Sequence, residues 1–392
     1  MFEKILWEGD EFFNTAFQEI KNARESIVLE MYIFKDDKAG IKWQKQLINA
    51  AQKKIKINVI YDKIGSFSTA SSFWNQMIQN NIQVLGYRGI LKNRKRLVKN
   101  NAHYPLWFTD LLLSFFRRNH RKILIIDNKI AFAGGFNIMN ETSKLYSGDK
   151  RWLDAVYVTN IPLIVKEIEK IHLDSLRRVK YSIRDIVTLE RKKAHEAVLY
   201  PYHTCLHKRK RRRKFFSKQN ICSMRYINAV KKLMNESKKR IYIMTPYFVP
   251  PRSIIRKLKR KAKKNIDVRL YMSIRSDLPF IRNVSFYFAR KLIKKGIKVF
   301  LFHGKELPNA SLRFNHAKVF LLDNWCGAGS GNVDDRSFSH NLDIHIFRNN
   351  PPFLKDVEDK FKWIEEHSYK GMKSNMPIKL SVFFLLPFKR YL

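Results

Sequence analysis

The chain has 392 residues, 45% of them hydrophobic and 13% aromatic, which suits two ordinary domains or one two-lobed unit and excludes wholesale disorder. Three cysteines, Cys205, Cys222 and Cys326, make no disulfide framework and favour a reducing compartment. The formal net charge of +43 calls for an anionic partner, nucleic acid or an acidic membrane surface, although a composition rich in Lys, Asn and Ile also follows from an AT-rich genome.

In chain order, the opening MFEKILWEGDEFF carries acidic residues where a signal peptide needs an apolar stretch, so none is expected. No window reaches the ~18–20 consecutive apolar residues of a spanning helix. IVLEMYIF (residues 27–34) reads as a buried strand, IKWQKQLINAAQKK (41–54) as a helix and INVIYD (57–62) as a second strand. The same order returns in IYIMTPYF (241–248), RSIIRKLKRKAKK (252–264) and VRLYMS (268–273). This strand–helix–strand unit implies parallel strands in an α/β lobe, and its recurrence implies two lobes.

HRKILIIDNKIAFAGGFN begins at His120 and HAKVFLLDNWCGAGSGN at His316. Both read His-x-Lys, four residues, Asp, then a Gly-rich turn ending in Asn; the second has one residue fewer between Asp323 and Gly329. The first lobe carries about 19 extra residues before its histidine, within residues 92–119. That insert is basic first (Lys92, Arg94, Lys95, Arg96) and apolar second (Trp107, Phe108, Leu112, Phe116), a pattern suited to docking on an anionic bilayer. A core helix with a solvated loop is the plainer reading.

Residues 196–225 contain seven consecutive basic residues, 208–214, and read as a linker between a first lobe (1–195) and a second (226–372). His203, Cys205 and His207 alternate there without a distant ligand cluster, so no metal site is expected. The tail, 373–392, contains LSVFFLLPF flanked by Lys379, Lys389 and Arg390; it suits either a membrane interface or docking on the core.

On a strand, residues i and i+2 share a face, so His120 with Lys122 and His316 with Lys318 project in pairs. Two imidazoles and two ammonium groups meeting where the lobes face each other would suit a phosphodiester. One histidine attacks phosphorus and the other protonates the leaving oxygen. The lysines, Asn137 and Asn332, and the turn residues Gly135 and Ser330, would hold the phosphoryl oxygens. Asp127 and Asp323, the third members of the motifs, sit at the strand ends and read as scaffold for the turns. No metal or other cofactor is expected.

The paired motifs resemble the duplicated HKD signature of the phospholipase D superfamily, over about residues 27–347. RNHRKILIID, LEMYIF and GSGNVDDRSF look most like bacterial cardiolipin synthases. The resemblance implies an α/β fold of two pseudo-symmetric phospholipase D-like lobes, each a mixed sheet flanked by helices, with the active site at their interface. It implies a carboxylate that orients each histidine, at Asp154 and Asp343, and transfer of a phosphatidyl group from phosphatidylglycerol to a second headgroup hydroxyl. His120 is assigned by chain order as nucleophile and His316 as acid/base. The implied partners are phospholipid substrates and an anionic bilayer, with the protein peripheral on the cytoplasmic face of the cell membrane. Both motifs lie on one chain, so an oligomer is not required. The alternatives are a phosphodiesterase or nuclease of the same superfamily, which would bring nucleic acid as partner, or a synthase of another phospholipid such as phosphatidylserine.

Overall fold

The computed structural model describes residues 1–87, 118–180, 202–203 and 221–371, together with Val382 and Leu386. The insert residues Lys92, Arg94, Lys95, Arg96, Trp107, Phe108, Leu112 and Phe116 lie outside the described residues, as does the basic run 208–214.

The first lobe opens with β1 (Glu3–Glu8) and α1 (Gly9–Asn22). β2 (Ser26–Met31), α2 (Lys38–Gln52), β3 (Lys56–Asp62), α3 (Ser71–Gln79) and β4 (Gln83–Tyr87) then alternate, and β2, β3 and β4 pair in parallel. α2 starts where the Asp37 carboxylate accepts the Gly40 N–H, and it buries Ala39, Trp43, Leu47 and Ala50 along one stripe. Trp43 packs against Phe12, Phe13 and Phe17; truncating it to Ala should cost about 3–5 kcal/mol. β5 (Ile123–Ile126), β6 (Ile130–Gly134) and β7 (Trp152–Thr159) continue antiparallel, followed by α4 (Pro162–Lys180). The sheet order is β4-β3-β2-β5-β6-β7-β1.

The second lobe repeats this plan with α5 (Ile221–Glu236), β8 (Arg240–Met244), α6 (Arg252–Ala262), β9 (Asp267–Ser273), α7 (Pro279–Ile293), β10 (Lys298–Phe302), β11 (Val319–Leu322), β12 (Trp325–Gly329), β13 (Ile344–Arg348), α8 (Pro351–Glu366) and β14 (Ser368–Lys370). Its order is β14-β10-β9-β8-β11-β12-β13, with Tyr202–His203 added at the β13 edge. From β10 to β13 this repeats the first sheet from β4 to β7, Tyr202–His203 takes the place of β1, and β14 is an added edge strand paired antiparallel with β10. The stretch read as a linker therefore contributes to the second lobe at both ends, through Tyr202–His203 and the start of α5 at Ile221.

The two sheets pack face to face. Ile123, Ile125, Ala131 and Ala133 of the first meet Val319, Leu321, Cys326 and Ala328 of the second, with Ile168 of α4 and Val357 of α8 in the same core. The outer faces are covered by α1–α3 on the first lobe and α5–α7 on the second. Ion pairs also cross between the lobes: Glu8 with Arg313 (2.8 Å) and Arg151 with Glu306 (2.5 Å). Among the described residues no helix is long and apolar enough to cross a membrane. Val382 is buried in the second lobe's core and Leu386 packs against it, so the tail docks on the protein at those two positions.

Candidate active site

Each of the two motif histidines, His120 and His316, sits in an extended segment just before a central hairpin, and that segment pairs with the opposite lobe. Phe314–Asn315 runs parallel to Trp152–Leu153, and Asn119 bridges Leu342. The His316 backbone N–H donates to Leu153 O (2.7 Å) and the His120 N–H to Leu342 O (2.9 Å). The residues that follow those two carbonyls are Asp154 and Asp343. The result is a crossed pairing: His120 Nδ1 lies 2.8 Å from Asp343 Oδ1, and His316 Nδ1 lies 2.5 Å from Asp154 Oδ2. Each lobe thus supplies the carboxylate that orients the other lobe's imidazole. With Nδ1–H donated to a carboxylate, Nε2 keeps the lone pair and is the nitrogen able to attack or accept a proton.

Lys122 Nζ donates to the His120 carbonyl (2.8 Å), and Lys318 Nζ to the His316 carbonyl; Lys318 Nζ also lies 3.6 Å from Asp154 Oδ2. All six groups are buried. Burial, then the neighbouring Lys122, pulls the His120 imidazole down to about 3, against the opposing pull of Asp343. His316 is lowered by burial and by Lys318. Lys318 falls to about 8 through burial, and Lys122 falls well below the usual lysine range through burial and the nearness of Lys318. Burial would raise both carboxyls, yet Asp154 is held low by Lys318 and His316, and Asp343 by His120 and Ser330. Burial and mutual repulsion disfavour the charged forms of these lysines and imidazoles, so the site gains by receiving an anion.

Some predicted residues have other tasks. The Gly135 N–H is donated to Ala155 O, and a Cβ there would stand 2.0 Å from Asp154 Oδ1; glycine lets that carboxylate approach. Its counterpart Ser330 donates its hydroxyl to Asp343 Oδ1 (2.7 Å) and its N–H to Ile344 O. Gly135 and Ser330, read as phosphate-binding, stand against the carboxylates of Asp154 and Asp343, and their N–H groups donate to Ala155 O and Ile344 O. Asn137 Oδ1 accepts the Ile33 N–H, whereas Asn332 Oδ1 is buried with no hydrogen-bond partner among the described residues. Asp127 and Asp323, the motif carboxylates read as scaffold, lie in the hairpin turns. Each carboxylate accepts three successive backbone N–H groups at the start of a neighbouring strand, Arg24 to Ser26 for Asp127 and Lys238 to Arg240 for Asp323. Each lies seven positions along the chain from its histidine, about 23 Å if fully extended.

Sequence reasoning missed the asparagines that precede both histidines. Asn119 Oδ1 accepts from Arg121 N (3.4 Å) and Asn315 Oδ1 from Ala317 N (3.0 Å), which bends the backbone around each histidine. The recurrence of Asn-His in both motifs was the available signal. It also missed what supports these segments. The Asn119 N–H donates to Asp62, which is paired with buried Arg118 (2.7 Å); the equivalent Asn315 N–H donates to the Ser273 hydroxyl. Asn119 Nδ2 donates to Glu30, which also holds Ser175 and His172, while Phe314 and Trp152 lie against the His316 ring. The His120 half therefore rests on buried charge and the His316 half on aromatic packing. Tyr32 and Tyr247 stand edge-on to His120 and His316, with ring centres 4.8 and 6.3 Å away.

The family model described as cardiolipin synthase, PLD-like domain matches residues 16–171 and 230–365, one segment in each lobe. A cardiolipin synthase of Clostridium perfringens is 28% identical over 364 residues, covering 91% of this chain and 69% of that protein. Cardiolipin synthase A of Pseudomonas syringae is 26% identical, covering 91% of this chain and 66% of the relative. The chain thus spans about two thirds of the length of these curated relatives. Among solved structures, a phosphatidylserine synthase of Haemophilus influenzae superposes with a TM-score of 0.72 at 14% identity, over 100% of this chain and 95% of that one. A polyphosphate kinase of Porphyromonas gingivalis gives 0.55 at 11% identity, over 100% of this chain and 56% of that one. At those identities the likeness is one of fold.

Proposed function

The chain belongs to the cardiolipin synthase, phospholipase D-like domain family, and from that premise we propose that it transfers a phosphatidyl group between phospholipid headgroups through a phosphohistidine. The observation that carries this reading is the crossed pair of His–Asp contacts, which makes one site from both lobes. His120 Nε2 attacks the phosphorus of phosphatidylglycerol, the bond from phosphorus to the glycerol headgroup breaks, and His316 gives its proton to the departing alkoxide. Glycerol leaves. His316, now neutral, takes the proton from a hydroxyl of a second phosphatidylglycerol; that oxygen attacks phosphorus and the P–N bond breaks. The products are cardiolipin and free His120. Lys122 and Lys318 hold the non-bridging oxygens, where charge grows in both transition states.

His316 must be protonated for the first step although burial and Lys318 keep it low in the free protein. A bound phosphodiester offsets the Lys318 charge and raises the imidazole towards the value an acid catalyst needs. Expression in a bacterial host lacking its own cardiolipin synthases, with the lipid extract read by mass spectrometry, tests the reading. Cardiolipin should accumulate with the wild-type chain and not with His120→Ala. Phosphatidylserine or phosphatidic acid in its place would keep the two-histidine chemistry and change the acceptor. Unchanged lipids, with DNA cleaved by the purified protein, would favour the nuclease.

A further inference from the structure

The second lobe carries a groove well outside the histidine site, between α6 and α7. It has a volume of about 370 Å³, within the range of small-ligand pockets. Ile255, Phe288, Leu386 and the Tyr287 ring form an apolar wall, and Arg252, Lys259 and Lys291 complete the lining. The sequence explains the arrangement. In RSIIRKLKRKAKK (252–264), Ile254 and Leu258 are buried, Ile255 is half-buried, and eight of the thirteen residues are basic with no acid among them. Arg252, Arg256, Arg260 and Lys264 repeat every fourth residue, a spacing at which like charges repel. Cations near the end of α6 gain from the helix dipole, but Arg252 opens the helix, where the dipole opposes it and no acidic residue stands in the first turn. The repulsion is also felt behind the helix. Lys257 is lowered by burial and by Arg260, Lys231 and Lys261, and Lys231 by burial and Arg256. Among the described residues no salt bridge joins a carboxylate to Arg252, Arg256, Lys259, Arg260 or Lys291.

We propose that this groove binds one anionic phospholipid of the bilayer, its phosphate held by Arg252, Lys259 and Lys291 and an acyl chain laid along Ile255, Phe288 and Leu386. Charge complementarity selects the anion. The apolar wall selects a lipid over a nucleic acid, whose backbone would leave Ile255 and Leu386 uncovered. The occupied groove would place the second lobe against the membrane that supplies the substrate. This deepens the lipid reading of the histidine site and rests on it, but it is a separate site with a separate measurement.

The test is co-sedimentation of the full chain with vesicles of phosphatidylcholine alone and of phosphatidylcholine with phosphatidylglycerol. The variant R252E/K259E/K291E changes the groove. A control, K129E/K144E/K150E, makes the same charge change at exposed sites on the first lobe. Affinity of the groove variant for the anionic vesicles should fall at least tenfold and that of the control less than threefold. Ile255→Asn, at a half-buried position, should also weaken binding while leaving turnover of a short-chain, water-soluble phosphatidylglycerol unchanged. Equal losses for groove variant and control would overturn the site in favour of net charge alone. Equal wild-type binding to both vesicles, or displacement from anionic vesicles of the wild type but not of the groove variant by an oligonucleotide at equal phosphate concentration, would overturn the lipid as occupant. If no cardiolipin is made in the host assay and the groove variant still loses binding, the groove stands without the proposed reaction.

Discussion

A histidine whose Nδ1–H is fixed on a buried carboxylate has one free nitrogen and one orientation, and here both orienting carboxylates come from across the interface. Asp154→Asn and Asp343→Asn preserve size but offer the imidazole an amide that can impose the wrong tautomer. Each should lower kcat by about 10²–10⁴-fold, measured on phosphatidylglycerol, with the folded structure retained by circular dichroism. The lysines give a prediction of opposite sign for stability and function. Lys122 is buried, its one hydrogen bond among the described residues is to a carbonyl, and its ammonium is disfavoured by burial and by Lys318. Lys122→Met should stabilise the unliganded protein by up to about 1–4 kcal/mol, read as a raised thermal midpoint, while abolishing turnover; a lowered midpoint would mean the ammonium stabilises the fold. The pH dependence follows from the same groups. His120 must be neutral to attack, and with its imidazole pulled down to about 3 it imposes no acid limb at ordinary pH. His316 must be protonated, so activity is lost as pH rises through its pKa, and the bound phosphodiester raises that pKa. The alkaline limb of kcat should therefore lie above that of kcat/KM, and coincident limbs would remove His316 as the acid.

At the scale of elements, the hairpins show how the second motif tolerates its missing residue. Ile126 pairs with Ile130 across a three-residue loop, whereas Leu322 pairs with Trp325 across two. The deletion falls wholly in the turn, and Gly134 and Gly329 recover the same register. Asp127 and Asp323 have positive φ in those turns and tie them to the start of β2 and β8. Asp127→Ala and Asp323→Ala should each destabilise by about 1–3 kcal/mol in urea unfolding while retaining most activity at low temperature. Abolished turnover at unchanged stability would return them to the chemistry. The strand–helix–strand repeat and both His-x-Lys pairs were legible because they are periodic and local. The crossing of Asp154 and Asp343 was not, because each lies downstream in the same lobe as the wrong histidine, and only the pairing of Asn315 with Leu153 and of Asn119 with Leu342 exchanges them. The roles of Gly135 and Ser330 were likewise hidden, since a close approach to a carboxylate leaves no trace in spacing.

For the molecule as a whole, the two sheets, the shared core between them and the Glu8–Arg313 and Arg151–Glu306 pairs make the lobes parts of one packed unit. Among the described residues both His–Asp contacts join one lobe to the other, so the proposed reaction requires the closed interface. The duplicated frame is symmetric, but its two histidines are not equivalent. His120 rests on Asp62–Arg118 and Glu30, and His316 on Ser273, Phe314 and Trp152. That difference permits one histidine to be the nucleophile and the other to be the acid. The most direct measurement is to mix the protein with phosphatidylglycerol, quench in alkali within the first turnover, and locate the phosphatidyl-histidine by peptide mass spectrometry. The account predicts an acid-labile adduct on His120 in the wild type, a small burst of the same adduct in His316→Ala, and none in His120→Ala. An adduct on His316, or turnover to product by His120→Ala, would contradict it.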